Sequence, residues 1–226
     1  MIQDNETFES LLRGLRPELE LSMVFTDFLH LSLWGLSADR RTGTPDPDQL
    51  DTAILGRYSD AEIETVFPRL LGLLLKEMKT RIQQGQHADV LGDFFRAHLL
   101  DDPANTTDAD DIALSLSDIG AIARRPGIGL YIDSSCGTGR RLMKAVSIFG
   151  TRHLYWGADE HPLCVLISTI NLLIAGKCSG EIICGRLTEP KDFVFAYQFS
   201  HNPAGVKRIE KVEESLFWSI YFDKKA

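Results

Sequence analysis

The stretch Tyr131 to Leu142, YIDSSCGTGRRL, constrains the fold more than any other part of the chain. An apolar run, GIGLYID, enters it, and RRLMKAVSIFG leaves it with Leu142, Met143, Val146 and Phe149 at helical spacing. The pattern predicts a buried strand, a glycine turn and a helix. In such a unit Gly137 and Gly139 let the backbone pass close to a ligand, and the N–H groups at the helix start point toward it. At the end of the next predicted strand stands Asp159, in YWGADEHP, where a carboxylate can accept the hydroxyls of a ribose. The competing explanation is structural: the glycines only make the turn, and Asp159 caps the helix that opens at Pro162. The stretch G-T-G-R-R-L lacks the third glycine of a dinucleotide fingerprint, which points to a single nucleoside-like ligand.

Composition narrows the class. With 226 residues, 44% of them hydrophobic, the chain can bury a sizeable core. No apolar run approaches the length that crosses a bilayer, and the polar, acidic start MIQDNETFES does not resemble a signal peptide, so a cytoplasmic protein without membrane partners is expected. Cys136, Cys164, Cys178 and Cys184 have no CxxC spacing and sit in apolar or glycine-containing stretches; reduced core thiols are expected, with no metal site. The net charge is -8, and it is uneven: residues 1–128 carry 12 Lys and Arg against 22 Asp and Glu, whereas residues 129–226 carry 12 against 10. The first half repels a phosphate backbone, and only the second is even weakly suited to one.

Two polar stretches, Ser37 to Asp51 and Asp101 to Asp111, read as exposed loops. Around them the first hundred residues read as helices, with a break at Pro17 and a capping box formed by Ser59 and Glu62. After Pro126 the pattern alternates: GLYID strand, GRRLMKAVSIFG helix, HLYWGAD strand, PLCVLISTINLLIAG helix, GEIICG strand, DFVFAYQFS strand. Such alternation predicts an α/β unit with a parallel sheet. The expected division is a helical N-terminal region over 1–110 and a cofactor-binding domain over 111–226.

Asp133-Ser134-Ser135-Cys136-Gly137-Thr138-Gly139 resembles the D-P-x-C-G-T/S-G cofactor loop of the adenine-N6 DNA methyltransferases, in particular the modification subunits of type I restriction systems. WGADEHPLCVLISTINLLIAG is similar to that family's second strand, acidic residue and N-L-x-x-x-G helix, with Asn171, Leu172 and Gly176 in register. DVLGDFF, Asp89 to Phe95, is similar to the D-x-L-G-x-x-Y/F helix that precedes the cofactor domain. The resemblance spans about residues 86–205. It implies a class I, Rossmann-like methyltransferase sheet, incomplete at the C-terminus, and S-adenosylmethionine as the cofactor. By position, the backbone from Gly137 to Gly139 would lie against the methionine part, Asp133 would face its amino group, and Asp159 would bind the ribose, with Glu160 as the substitute one residue on. Ser135, Cys136 and Thr138 would complete the turn.

The family's catalytic N/D-P-P-Y/F/W motif ends a fourth strand and stacks its ring on a flipped-out base. Here FAYQFSHNPAG offers Asn202 and Pro203, but Ala204 and Gly205 replace the second proline and the ring. DDIALSLSDIG stands where a G-x-F-F/Y-T-P segment is expected, and Arg186 where an acid or amide would follow the third strand. Phe193, Phe195, Tyr197 and Phe199 alternate as buried sheet core, His161 and His201 read as loop residues, and GVKRIEK reads as a solvated face. Two functions follow: a DNA methyltransferase that acts on DNA only with a partner subunit supplying the missing parts, or a catalytically inactive binding or regulatory subunit that meets a protein partner through its acidic half.

Overall fold

The computed structural model describes residues 6–37, 52–100, 120–121, 129–175, 178–200 and 205–222. The first part is helical: α1 (Phe8–Leu15), α2 (Leu21–Leu36), a single turn α3 (Thr52–Leu55), α4 (Phe67–Gln83) and α5 (Val90–His98). Pro17 falls between α1 and α2, as expected. Ser59 and Glu62 cap each other: the Ser59 N–H donates to Glu62 Oε2 at 2.8 Å and the Glu62 N–H to Ser59 Oγ at 3.3 Å. The helix that follows passes through a wide π turn over Glu62–Val66 just before Pro68, whose ring cannot donate to the preceding turn.

The second part alternates: β1 (Gly120–Ala121), β2 (Leu130–Asp133), α6 (Arg140–Phe149), β3 (Leu154–Asp159), α7 (Pro162–Ala175), β4 (Ser179–Cys184), β5 (Phe195–Phe199), β6 (Val206–Ile209) and α8 (Leu216–Phe222). The six strands lie in chain order in one sheet. β2, β3 and β4 are parallel, joined by α6 and α7. β1 is antiparallel to β2, β5 to β4, and β6 to β5.

The expected parallel sheet is therefore corrected to a mixed one. A parallel return needs a dozen or more residues, usually with a helix. The link from β4 to β5, residues 185–194, holds only a short 3-10 turn at Pro190–Asp192, and the Val194 N–H bonds back to the Cys184 carbonyl at 2.9 Å. The chain doubles back beside β4. GVKRIEK contains the edge strand β6, which buries Val206 and Ile209 and exposes Lys207 and Arg208. Of the four alternating aromatics, Tyr197 and Phe199 are buried and Phe195 packs against the same core, whereas Phe193 precedes β5 and packs against the cluster of Trp156 and Ile183.

The two parts share one core. Phe8, Phe25, Phe28, Leu70, Leu74 and Phe94 of the helices join Leu142, Ile167, Ile170, Tyr155 and Ile182 in one continuous cluster, so α7 is packed between the sheet and the N-terminal helices. The opposite sheet face presents Trp156, Ala158, Ile183, Ala196 and Ile209, covered by Phe217 and Trp218 of α8. This second layer is fastened by Glu181 on β4, fully buried, whose Oε2 accepts the N–H groups of Leu216 at 2.8 Å and Phe217 at 3.3 Å.

Burial pushes the Glu181 carboxyl above the ordinary glutamate range. A raised acid favours folding below its unfolded pKa, and that contribution is lost as pH rises through the folded value. Glu181→Gln mimics the protonated form and has no such loss. The melting temperature of the variant relative to the natural chain is expected to climb between pH 4 and pH 8; parallel curves across that interval would refute the assignment.

Candidate functional site

The turn lies where the three parallel strands end. Asp133 closes β2, Asp159 closes β3 and Cys184 closes β4, with Asp133 registered against Gly157 and Asp159 against Cys184. Gly137 has φ +52° and Gly139 φ +86°, left-handed conformations that a side chain disfavours. They differ in their surroundings. A methyl group on Gly139 would stand 2.5 Å from Ser168 Oγ and 3.1 Å from Ser168 Cα, so this glycine lets α6 start against α7. A methyl group on Gly137 would meet nothing within 4 Å among the described residues, which leave the space before it open.

Asp159 faces the bend. Its Oδ2 accepts the Gly137 N–H at 3.0 Å, and its Oδ1 accepts the His161 N–H at 2.8 Å, opening α7. Asp159 thus does not cap α7 itself: one oxygen braces the loop before the helix, whose Leu163 N–H is accepted by His161 Nδ1, and the other faces the turn. A carboxylate offers about four acceptor positions, so Asp159, half-buried and with the Cys164 thiol beside it, retains capacity for about one or two more donors. Glu160, one residue on, turns away to an exposed pair with Arg186 at 2.7 Å, which holds its carboxyl below the usual range. His161 accepts the Leu163 N–H on Nδ1 at 3.2 Å and packs edge-on to Phe95, as a helix-start residue.

Cys136 is buried, its N–H bonded to the Ala158 carbonyl at 2.8 Å and its sulfur over Gly157. Burial raises its thiol well above the ordinary cysteine range; the same cause pushes Cys164 up to about 12 and Cys178 up to about 11. These are packing thiols, not nucleophiles. Ser135 is exposed and contributes backbone only: its N–H donates to Asp133 Oδ1 at 3.2 Å.

Thr138 leads to the centre of the arrangement. Its hydroxyl donates to Asp89 Oδ2 at 2.5 Å, and Asp89 is fully buried. The same carboxylate accepts the Gly92 N–H at 2.8 Å, capping α5, the Arg140 Nε at 2.8 Å and the Asn171 Nδ2 at 2.7 Å, with Arg96 at 3.5 Å. Asn171 also donates to the Thr138 carbonyl at 2.9 Å. Gly92 has no side chain because the Asp89 carboxylate lies over it. The three motifs DVLGDFF, CGTGR and INLL meet on one buried acid. Around it, Arg140 also reaches Asp93, and Asp93 pairs with Arg81 and Arg96.

Asp133 is likewise engaged. It is 4% exposed, and Arg141 holds it through Nε to Oδ2 at 2.8 Å and Nη2 to Oδ1 at 2.7 Å. The first turn of α6 thus begins with two arginines at the positive end of a helix, where basic residues are ordinarily disfavoured. Two buried acids, Asp89 and Asp133, offset that placement, the one feature of the sequence that could have drawn attention to them.

Asn202 and Pro203 lie outside the described residues. Their described neighbours are at the opposite end of the sheet: β5 starts with Phe195 beside Cys184 and ends with Phe199 beside Gly180, and the Ser200 N–H bonds to the Gly205 carbonyl at 3.2 Å. Phe199 is about 13 Å down the strand from the ends that carry the turn, and about 14 Å across the sheet from β2. Gly176, His201, Ala204 and most of DDIALSLSDIG also lie outside the described residues.

Comparison with known families, with curated proteins and with solved structures finds no match to the chain. Among the described residues no helix is long and apolar enough to cross a membrane, and no group of three or more His, Cys, Asp or Glu could hold a metal ion. A separate groove of about 190 Å³ lies between α1 and α2, lined by Leu12, Arg13, Arg16 and Val24 among others. Its arginines are taken up by Glu9, His98, Glu18 and Glu62.

Proposed function

We propose that the chain is a methyltransferase-like protein of adenine-N6 DNA methyltransferase descent that holds the adenosine half of a cofactor at its glycine turn and acts as a non-catalytic binding or regulatory subunit. The observation that carries the ligand reading is the Gly137 N–H bonded to Asp159 Oδ2 at 3.0 Å, with the space before Gly137 left open by the described residues. Asp159 would accept the ribose hydroxyls on its remaining lone pairs, and the backbone of Gly137 to Gly139 would lie against the ligand. Descent is supported by the convergence of the resembling motifs on Asp89. S-adenosylmethionine is the cofactor the resemblance implies; bound, it would supply an activated methyl group. Its adenosine half fits the residues at hand, whereas the acid for its amino group, Asp133, is taken.

The non-catalytic reading rests on the missing second proline and ring after Asn202 and Pro203, and on the direction of β5, which carries the flanks of that segment away from the turn. Base stacking is worth about 1–3 kcal/mol, and positioning the amine contributes more.

In calorimetry, adenosine is expected to bind saturably to the full chain, with affinity at least about tenfold weaker in Asp159→Ala. DNA incubated with the purified chain and radiolabelled S-adenosylmethionine is expected to gain no label. Incorporation by the chain alone would remove the non-catalytic reading, and absence of adenosine binding would remove the ligand.

A further inference from the structure

Asp133 is the acid that would meet the ammonium of an amino-acid tail, and a protein cation already sits on it. Arg141 binds both its oxygens, at 2.8 and 2.7 Å, and its Nη2 also donates to the Ser135 carbonyl. The Ser135 N–H takes a further position on Oδ1. Three of the four acceptor positions on the carboxylate are filled, two of them by the guanidinium of Arg141. The pair is nearly buried on the acid side, 5% exposed, and about a quarter exposed, 26%, on the arginine side. A ligand ammonium would have to share the last position beside a fixed positive charge, or break a bidentate, charge-assisted pair. The Arg141 bonds use the hydrogens of Nε and Nη2; those of Nη1 take no part in them and suit an anion or a neutral acceptor.

We infer that Arg141 is a specificity-determining residue that stands in for the ligand's ammonium, so that the turn selects adenine nucleosides with a neutral or anionic 5′ substituent over S-adenosylmethionine. This rests on the reading above that the turn and Asp159 hold an adenosine.

The test is calorimetric titration of the full chain with 5′-methylthioadenosine, adenosine 5′-monophosphate and S-adenosylmethionine. The first two are expected to bind at least as tightly as the third. In Arg141→Gln, affinity for S-adenosylmethionine is expected to rise about tenfold while that for 5′-methylthioadenosine stays within about twofold; Arg141→Lys, which keeps the charge, is expected to show no such gain. Thermal unfolding reports whether each variant folds, and the ranking in the natural chain decides if neither does. S-adenosylmethionine binding more tightly than 5′-methylthioadenosine, with both lost in Asp159→Ala, would overturn the role of Arg141 and leave the adenosine site standing. Failure of all three ligands to bind would overturn the adenosine site and this inference together.

Discussion

Replacing Asp89 with Ala is expected to destabilise the protein by about 3–5 kcal/mol, the cost of leaving a buried charge network without one partner. Four groups bond to this carboxylate, from the Gly92 backbone, Thr138, Arg140 and Asn171, and Arg96 stands at 3.5 Å. Ala would leave the buried Asn171 amide and Thr138 hydroxyl short of an acceptor, and α5 without its cap. Arg140 would retain only Asp93, which Arg81 and Arg96 already share. For a chain of this size each kcal/mol shifts the melting temperature by about 2–4 °C, so a fall of roughly 6–20 °C is expected in a calorimetric scan. Asp89→Asn, which keeps the shape and an acceptor oxygen, is expected to cost less. If Ala and Asn variants melt within a degree or two of the natural chain, the hub does not hold the turn.

The second large effect separates the two glycines of the turn. Gly139→Ala forces a side chain into a left-handed conformation, costing about 1–2 kcal/mol. It also drives a methyl group against Ser168, an overpacking cost of about 1–3 kcal/mol. Ser168 is fully buried on α7, in the layer between the sheet and the N-terminal helices, and cannot move aside into solvent. The total, about 2–5 kcal/mol, corresponds to a melting temperature lowered by roughly 4–20 °C. Gly137→Ala carries the conformational cost alone, because the added methyl meets nothing within 4 Å among the described residues. That methyl enters the space where the proposed adenosine would lie, so adenosine binding is expected to fall in Gly137→Ala while the fold persists. Equal loss of stability in the two variants would mean that the space before Gly137 is filled.

These contrasts bear on how a loop signature should be read. Gly137 and Gly139 are alike in the sequence and both have positive φ, yet Gly139 serves helix packing and Gly137 faces a gap among the described residues. Cys136 and Thr138 sit between and beside them with structural work: the sulfur fills the space over Gly157, and the hydroxyl reaches Asp89. Asp133 and Asp159, both acids at strand ends, divide in the same way. Asp133 is neutralised by Arg141, whereas Asp159 accepts two backbone N–H groups and lies beside the Cys164 thiol, with no cation paired to it among the described contacts.

The sequence by itself determined the alternating elements from β2 to β5 and the outline of the candidate site. Apolar spacing marked the strands and helices from Leu130 to Cys184, Ser59 and Glu62 announced their cap, and the positions of Gly137, Gly139 and Asp159 foretold an acid facing a bend. Each of these depends on residues close in the chain, or on the regular geometry of one strand–helix–strand step. Tertiary structure alone decided the direction of β5, the role of α8 as a cover for Trp156 and Ile183, and the partners of the two arginines after the turn. Strand direction follows from how far a ten-residue link can travel, which alternation of side chains does not encode. The arginine at 140 finds its acid 51 residues away and Asn171 finds the same acid across 82, distances over which only the packed core brings side chains together.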